Sequence, residues 1–464
     1  MSLQEIVVDG EETVDTKNAL TSLDSPISLK YVAAGRIAQS VLSYLVREIA
    51  QRRMTNVYDI CHTGDSLIEQ ETSKIYKNVD EKGIAGPTTV DINNCVQGYS
   101  PVNRETAYVL SNGDIVKISL GVHVDGYTSL VSHTLIALPT IAPIDQVAPT
   151  TGILADDICA THLATEAVMS LLGTVLYRYE NPSGYYGNRP VNGERIRDLV
   201  ESIAKTFQVK VVPGSAVRRV KRFLVGQDTV HEVDVKGYAW GSISIEAMTD
   251  DPDEGDLKKM IDTEAAAEPG EAWLVDIIMC PFSGPESGLN KKNPLQVSRR
   301  MLKPHGDLKP TIFTRDYNRN LSMKLKSARG VLIEVDNRKS VYPFHMNNLS
   351  TPGAPLGVAA LANADIVAPT KVMMIQGSPS PIATRVRTTV LLMPSAKHVG
   401  EVVRLSGGGI KPSWVHSEFE VTDEDIMELL SEKRAGVRLR NIQGSDLDVV
   451  RESGAANVQE MEVE

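Results

Sequence analysis

The sequence predicts an α+β domain in which helices pack against an antiparallel β-sheet. The main evidence is residues 113–135, where apolar and small residues alternate with polar ones, as in a half-buried strand. Asp125 and Gly126 supply a tight turn within this segment, so it is predicted to fold back as a β-hairpin. Amphipathic helices are predicted on both sides of the hairpin, and this alternation favours two related halves.

Two helices are predicted before the hairpin. Ser28 can cap a helix over residues 28–53, whose apolar residues recur on one face. A second helix is predicted from about residue 56 to residue 77, with an interruption near Gly64.

The elements after the hairpin alternate in type. Helices are predicted over residues 156–176 and 194–206, and a short strand follows at 209–214. Two buried strands are predicted over residues 270–280 and 385–394, and a capped helix begins near Asp423.

Charge divides the chain into regions. The 464 residues carry a net charge of −11, which argues against a simple nucleic-acid binder. We interpret residues 1–25 as a flexible acidic tail, 26–445 as the folded domain, and 446–464 as a disordered acidic tail. Within the domain, residues 246–271 are predicted to form an acidic loop, and residues from about 285 to 350 a basic insertion.

Composition also limits the compartment. No run of eighteen apolar residues predicts a membrane span, and the acidic N-terminal segment lacks the features of a secretory signal. The four cysteines have no CxxC spacing, which favours a reducing compartment and argues against a zinc ribbon or a disulfide framework.

The hairpin resembles the metal-binding hairpin of the methionine aminopeptidase superfamily. In that motif, Lys-Ile-Asp-Phe-Gly is followed by a second Asp eleven residues after the first. The chain keeps Lys117, Ile118 and Gly121, but it has Ser119 and Leu130 in place of the two Asp residues. Residues 83–101 resemble a second superfamily segment, in which Gly98 takes the place of a His that contacts the substrate.

The resemblance implies the pita-bread fold, an α+β fold of two pseudo-symmetric halves with an insertion. It also implies a site where two Asp, one His and two Glu hold two divalent cations. The remaining ligand positions correspond to Ala216 for the His, Asp276 for the first Glu and Arg387 for the second. Only Asp276 can ligate a cation, and a fixed Arg387 opposes metal binding. We therefore expect no catalytic residue, no metal and no other cofactor.

Further segments resemble the non-peptidase branch of the superfamily, most of all a fungal export factor of pre-60S ribosomal particles and next the proliferation-associated proteins of animals. The resemblance implies partners in the large ribosomal subunit, namely rRNA and tunnel-exit proteins. Other assembly factors, including a small basic one, and nucleoporin Phe-Gly repeats are also implied, with no membrane contact. A protein of this kind shuttles between nucleus and cytoplasm.

The basic insertion is the predicted RNA-binding surface. Residues 291–329 contain eleven Lys or Arg against two Asp, and this net charge of +9 can neutralise phosphates. A second basic cluster occupies the loop that lost the His. The candidate rRNA-binding residues are Arg218, Arg219, Lys221, Arg222, Lys291, Lys292, Arg299, Arg300, Lys303, Lys309, Arg315, Arg319, Lys324 and Lys326.

The sequence leaves three hypotheses for the function. The first is an inactive aminopeptidase-like adaptor that binds the pre-60S subunit near the tunnel exit and assists its export and maturation. The second is a residual metalloaminopeptidase with unusual ligands. The third is a free nucleic-acid-binding growth regulator, which salt-dependent binding to naked nucleic acid would reveal.

Overall fold

The centre of the fold is a large sheet formed by ten strands of the described residues. Its main path runs through β1 (Lys82–Ile92), β3 (Ile115–Val124), β4 (Tyr127–Ile136), β14 (Thr384–Met393), β8 (Ala272–Cys280), β6 (Ala216–Val220) and β7 (Gly237–Ala239). The computed structural model describes residues 25–137, 148–180, 189–223, 236–241, 262–282, 288–319, 321–338, 341–377, 381–395, 400–408, 415–431 and 438–447. Within these ranges the helices are α1 (Pro26–Ala50), α2 (Val57–Lys74), α3 (Ile153–Glu180), α4 (Gly193–Thr206), α5 (Lys326–Arg338), α6 (Ala354–Asn363) and α7 (Glu424–Leu430). The strands are β1 (Lys82–Ile92), β2 (Cys95–Gln97), β3 (Ile115–Val124), β4 (Tyr127–Ile136), β5 (Lys210–Val211), β6 (Ala216–Val220), β7 (Gly237–Ala239), β8 (Ala272–Cys280), β9 (Leu302–Pro304), β10 (Ile312–Arg315), β11 (Phe344–His345), β12 (Val367–Thr370), β13 (Met373–Ile375), β14 (Thr384–Met393), β15 (Glu401–Arg404) and β16 (Arg438–Asn441).

The predicted hairpin is confirmed as β3 and β4, which pair from Ile115–Ile136 to Val124–Tyr127. Asp125 and Gly126 join the strands with φ values of 53° and 78°, the positive values that a type I′ turn requires. Both strands are buried at all ten positions, whereas a half-buried hairpin was predicted. The polar residues of the alternating pattern therefore face a second interior surface and not water.

Each half of the sheet has its own pair of helices. In the first half, α1 and α2 cover the apolar residues of β3, including Val116, Ile118 and Leu120. In the second half, α3 and α4 pack against β8 and β14 through residues such as Val275 and Val390. The prediction of two related α+β halves is thus confirmed.

Helix α2 is continuous, so the predicted interruption near Gly64 is wrong. The residue is needed for close packing: an added Cβ would lie 2.5 Å from Oγ1 of the buried Thr88 on β1. Glycine here lets the helix approach the strand without ending the helix.

Helix α3 includes a long apolar segment, Ile153–Leu176, with a mean hydropathy of 1.3. Its length and composition would suit a membrane span, but 78% of the window lies inside the protein. Burial to this extent is typical of the core helix of a folded domain.

The predicted basic insertion divides into two parts in the structure. Its first part, residues 288–304, packs against the main body and ends in β9, which pairs with β13. Its second part joins residues 354–370 in a separate unit, where β10 pairs with β11 and β12 beside α5 and α6. The acidic segments predicted at 1–25, 246–271 and 446–464 lie mostly outside the described residues.

Replacement of Gly64 by Ala should lower the stability of the protein. The added methyl group overpacks the contact with Thr88, at a typical cost of about 1–3 kcal/mol. This cost should exceed the gain of about 1 kcal/mol in helix propensity. Urea unfolding measures the change, with Gly306→Ala as the matched control because no atom lies within 4 Å of its added Cβ. Equal stabilities of the two variants would contradict the packing role of Gly64.

Candidate functional site

Four of the five predicted ligand positions lie on one continuous line across the sheet. The register pairs Ser119 with Ser132, Ser132 with Arg387, Arg387 with Asp276, and Asp276 with Ala216. Neighbours in register share a face of a sheet, so their side chains point to the same side. We call the five residues in this register the central row: Ser119, Ser132, Arg387, Asp276 and Ala216.

Leu130, the fifth predicted position, lies one step along the same face. It pairs with Gly121 on β3, two residues beyond Ser119. Its side chain belongs to a buried apolar cluster with Ala85, Leu274 and Leu391. A second Asp position has thus become part of the hydrophobic core.

Ser119 is satisfied by a neighbour within the row. Its hydroxyl donates a hydrogen bond of 2.9 Å to the hydroxyl of Ser132, and both residues are buried. Ala216 contributes only a methyl group at the other end of the row. Neither position offers a negatively charged ligand to a cation.

Asp276 is bound by Arg385, a residue that the sequence analysis missed. The Nε and Nη2 atoms of Arg385 donate to the two carboxylate oxygens of Asp276 at 2.8 and 2.6 Å. Burial by itself would lower the pKa of Arg385, but the adjacent Asp276 carboxylate raises it above its ordinary value. This two-bond geometry is the strong form of an Arg–carboxylate pair, and it occupies both oxygens.

Arg387 is less well compensated than Arg385. Its Nη2 donates to the carbonyl of Val131 at 3.3 Å, and its Nη1 lies 4.0 Å from Asp276. Its Nε is buried and has no hydrogen-bond acceptor among the described residues. Burial, together with the nearby Arg385, lowers the pKa of Arg387 to about 10.

Lys117, retained from the superfamily motif, is fully buried beside this site. Its Nζ donates to the carbonyl of Asn93 at 2.8 Å. Burial lowers its pKa to about 8, although nearby Cys95 and Asp91 favour the charged form. The retained lysine therefore holds the chain between β1 and β2.

Gly98, at the position predicted for the substrate-contacting His, follows β2 directly. Its φ of +92° is unfavourable for residues with a side chain. An added Cβ would lie 2.9 Å from the carbonyl oxygen of Lys371. The backbone at this position therefore favours glycine, and no imidazole is available there.

The histidines do not replace the missing ligands. His123 stacks on Tyr342 with ring centroids 4.3 Å apart, and burial lowers its pKa to about 3. Burial also lowers the pKa of His133, to about 4, with smaller effects of His162 and Arg404. Both imidazoles are therefore neutral at physiological pH and belong to the core.

The donor set does not fit the two divalent cations that the superfamily fold implies. Such a site needs several anionic oxygen ligands and an imidazole. The central row provides one carboxylate, which Arg385 already binds, and a second cation from Arg387. Across the part of the chain that the structure describes, no group of three or more His, Cys, Asp or Glu is placed to hold a metal ion.

The candidate RNA-binding residues differ in accessibility. Arg315 must be removed from the set, since its side chain is only 4% exposed and pairs with Asp336 at 3.1 Å. Arg219 is also unsuited to phosphate binding, because its side chain is 10% exposed and contacts the buried Glu271 at 3.3 Å. The exposed members of the set are Arg222, Lys291, Lys292, Arg300, Lys309, Arg319, Lys324 and Lys326, while Arg218, Lys221, Arg299 and Lys303 are half-buried.

Some exposed members of this set already have partners. Arg222 pairs with Asp125 in the hairpin turn, and its guanidinium lies 5.6 Å from the centre of the Tyr127 ring. Arg319 lies near Asp316 and Asp365. The lysines at 291, 309, 324 and 326 are therefore the better candidates for contact with an anionic partner.

Replacement of Arg385 by Met should destabilise the protein far more than replacement of Arg387 by Met. Loss of Arg385 leaves Asp276 buried without its main partner, which typically costs about 3–5 kcal/mol. Loss of Arg387 removes a poorly compensated buried charge, so we expect a change below about 1 kcal/mol or a gain. The free energy of unfolding of both variants is measured in urea. Each variant serves as the control for the other, because both residues lie on β14. Similar losses for both would show that Arg385 has no special role.

The comparisons with known proteins agree with the observed fold. The sequence model of metallopeptidase family M24 matches residues 30–163, which include the hairpin. The chain is 34% identical to the "Probable metalloprotease arx1" of Schizosaccharomyces pombe over 89% of this chain and 95% of that protein. It is 28% identical to "Proliferation-associated protein A" of Dictyostelium discoideum over 91% of this chain and 93% of that protein.

A solved structure supports the fold. The structure of a thermophilic Arx1 superposes with a TM-score of 0.65 at 22% identity, covering 89% of this chain and 98% of that one. The predicted pita-bread fold and the predicted resemblance are both confirmed. The chain belongs to metallopeptidase family M24, among its Arx1 proteins.

Proposed function

We propose that this chain is a catalytically inactive, aminopeptidase-like adaptor that binds the pre-60S ribosomal subunit near the tunnel exit. In this proposal it contacts rRNA and tunnel-exit proteins, assists export and maturation of the particle, and shuttles between nucleus and cytoplasm. The observation that carries the proposed loss of catalysis is the ion pair between Asp276 of the central row and Arg385.

The chemistry of the central row supports this proposal against peptidase activity. A dinuclear site lowers the pKa of a bound water to produce hydroxide, and this requires two cations about 3.5–4 Å apart. Arg385 and Arg387 place positive charge where those cations would have to bind. Repulsion in a poorly solvated site would then oppose their binding.

The exposed lysines of the basic insertion support the ribosomal part of the proposal. Lys291, Lys309, Lys324 and Lys326 all lie at the surface, within a region of net charge +9. Phosphate contacts position a protein on structured RNA and release counterions. The net charge of −11 for the whole chain favours a composite site of RNA and basic ribosomal proteins over naked RNA.

Nucleoporin Phe-Gly repeats and other assembly factors, including a small basic one, are further partners in this proposal. One cleft of about 470 Å³ lies between the main body and the basic insertion. Its apolar lining residues are Ile84, Pro343 and Phe344, its acidic ones are Glu69, Asp80 and Glu334, and its basic ones are Lys82 and Arg338. These residues suit contacts with a Phe side chain or with a basic segment.

Charge reversal should separate ribosome binding from folding. The double variant Lys291→Glu and Lys309→Glu should lose co-sedimentation with pre-60S particles, and the slope of log affinity against log salt should fall by up to about 2. The matched control is the double variant Arg36→Glu and Lys77→Glu, which makes the same charge change at other exposed positions. Equal retention of both variants would remove the insertion from the binding surface. Tight binding of naked RNA by the unchanged protein would favour a free nucleic-acid-binding regulator.

A residual metalloaminopeptidase is the alternative that the names of the relatives favour, since several are called probable metalloproteases. We expect the purified protein to release no N-terminal methionine from a Met-Ala-Ser peptide with cobalt, manganese or zinc present. We also expect substoichiometric metal by elemental analysis. Two equivalents of bound metal with turnover would overturn the assignment of an inactive adaptor.

A further inference from the structure

The second part of the basic insertion presents a loop that is held firmly at both ends. We call residues 316–319 and 321–325, between β10 and α5, the insertion loop. At its start, Nη1 of Arg315 donates to the carbonyl of Arg319 at 2.8 Å and to that of Ile366 at 3.3 Å. At its end, Nη1 of Arg329 donates to the carbonyls of Met323 and Lys324 at 2.9 and 2.7 Å.

The buried charge of Arg315 explains why the start of the loop keeps its shape. Its Nε pairs with Asp336 of α5 at 3.1 Å, and its guanidinium lies 5.0 Å from the centre of the Tyr317 ring. The backbone N–H of Asp316 also donates to the carbonyl of Ile366 at 3.0 Å. These contacts tie the loop to both α5 and the segment before β12, so its side chains are presented in a fixed arrangement.

The insertion loop exposes three large apolar side chains to solvent. Tyr317, Leu321 and Leu325 are 49%, 54% and 38% exposed. Single exposed apolar residues are common on protein surfaces, but three within nine residues of one anchored loop are typical of a binding surface. Lys324 and Lys326 are exposed beside them, and residues 317–329 contain no Asp or Glu.

The aliphatic side chains favour a protein partner over RNA. Unpaired bases stack on aromatic rings or on guanidinium planes, and leucine offers neither. The Tyr317 ring is already in contact with Arg315, which itself is buried and unavailable to phosphate. Protein interfaces, by contrast, have an apolar centre surrounded by charged residues that match charges on the partner.

We propose that the insertion loop is a docking surface for a protein that presents apolar side chains flanked by Asp or Glu. Leu321 and Leu325 bury apolar area of the partner, while Lys324 and Lys326 pair with its carboxylates. This role does not depend on rRNA binding by Lys291 and Lys309, which lie outside the loop. The basic insertion then has two functions. Lys324 and Lys326, counted above among the candidate phosphate contacts, serve the protein contact at the loop, and Lys291 and Lys309 contact phosphates elsewhere.

Site-specific photo-crosslinking tests this proposal in the full chain. A benzophenone side chain (p-benzoyl-phenylalanine) replaces Leu321 or Leu325, the protein is expressed in a fungal cell, and irradiation follows. Replacements of Ile153 and Met427 serve as controls, since these residues are 61% and 53% exposed and lie on α3 and α7, outside the basic insertion. Because all four positions are at the surface, each variant should keep its thermal unfolding midpoint, which is measured first.

The proposal predicts conjugates at positions 321 and 325 that resist ribonuclease, with much weaker products at 153 and 427. The conjugated peptide should contain Asp or Glu next to apolar residues. The variant Lys324→Glu and Lys326→Glu should reduce the yield about tenfold, as expected for loss of a complementary charge pair. The identified peptide, once synthesised, should bind the full chain about tenfold more weakly after Leu321→Asn and Leu325→Asn.

Three results would overturn the proposal. Conjugates that ribonuclease destroys would assign the loop to RNA. Equal yields at the control positions would mean non-specific contact, and the absence of any conjugate at 321 and 325 would mean that the loop docks no protein. Loss of ribosome binding by a Lys291→Glu and Lys309→Glu variant, with crosslinking at 321 unchanged, would leave this inference intact and concern only the RNA contacts.

Discussion

The pair of Arg385 and Asp276 is the interaction on which the centre of this fold depends. It joins β14 to β8 in the second half of the domain, and β14 is the strand that pairs with β4 of the first half. A buried ion pair adds little net stability compared with apolar residues, but loss of one partner is costly. Replacement of Arg385 or Asp276 alone is therefore destabilising. The ion pair also fixes the position of β14 relative to β8.

The same interaction shows how the scaffold is held together without the ligands of a two-metal site. A metal site joins strands through several ligands. In this chain the strands are joined by the Ser119–Ser132 hydrogen bond, the packing of Leu130 and the Arg385–Asp276 ion pair. The central row thus keeps a structural role while its residues no longer suit a cation. This supports our proposal that binding surfaces, and not bond cleavage, account for the function.

Much of the fold could be predicted from sequence because the relevant signals are local. The period-two pattern and the Asp125–Gly126 turn define the hairpin, and the positions taken from motif spacing, Ser119, Asp276 and Arg387, lie on one face of the sheet. The partner of Asp276 could not be predicted, because Arg385 and Arg387 lie two residues apart on the same face of β14. Only the packed structure shows that Arg385 is the one that binds the carboxylate.

Two other sequence predictions were wrong because contacts with residues distant in sequence decide the outcome. Gly64 suggested a break because glycine disfavours helices, whereas its actual constraint is the distant Thr88. Arg315 counted as one more surface cation in a basic run, although its contacts with Asp336, the Tyr317 ring and backbone carbonyls place it inside the fold. A basic run shows net charge, but it does not show which charges are already neutralised.

The use of a guanidinium in place of a metal ion has a consequence for the life of the protein in the cell. A metalloenzyme is stabilised by mass action, so its folded fraction varies with the free concentration of its ion. Arg385 is part of the polypeptide and cannot dissociate or be removed by a chelator. The folded fraction of this protein should therefore be independent of the supply of divalent metal.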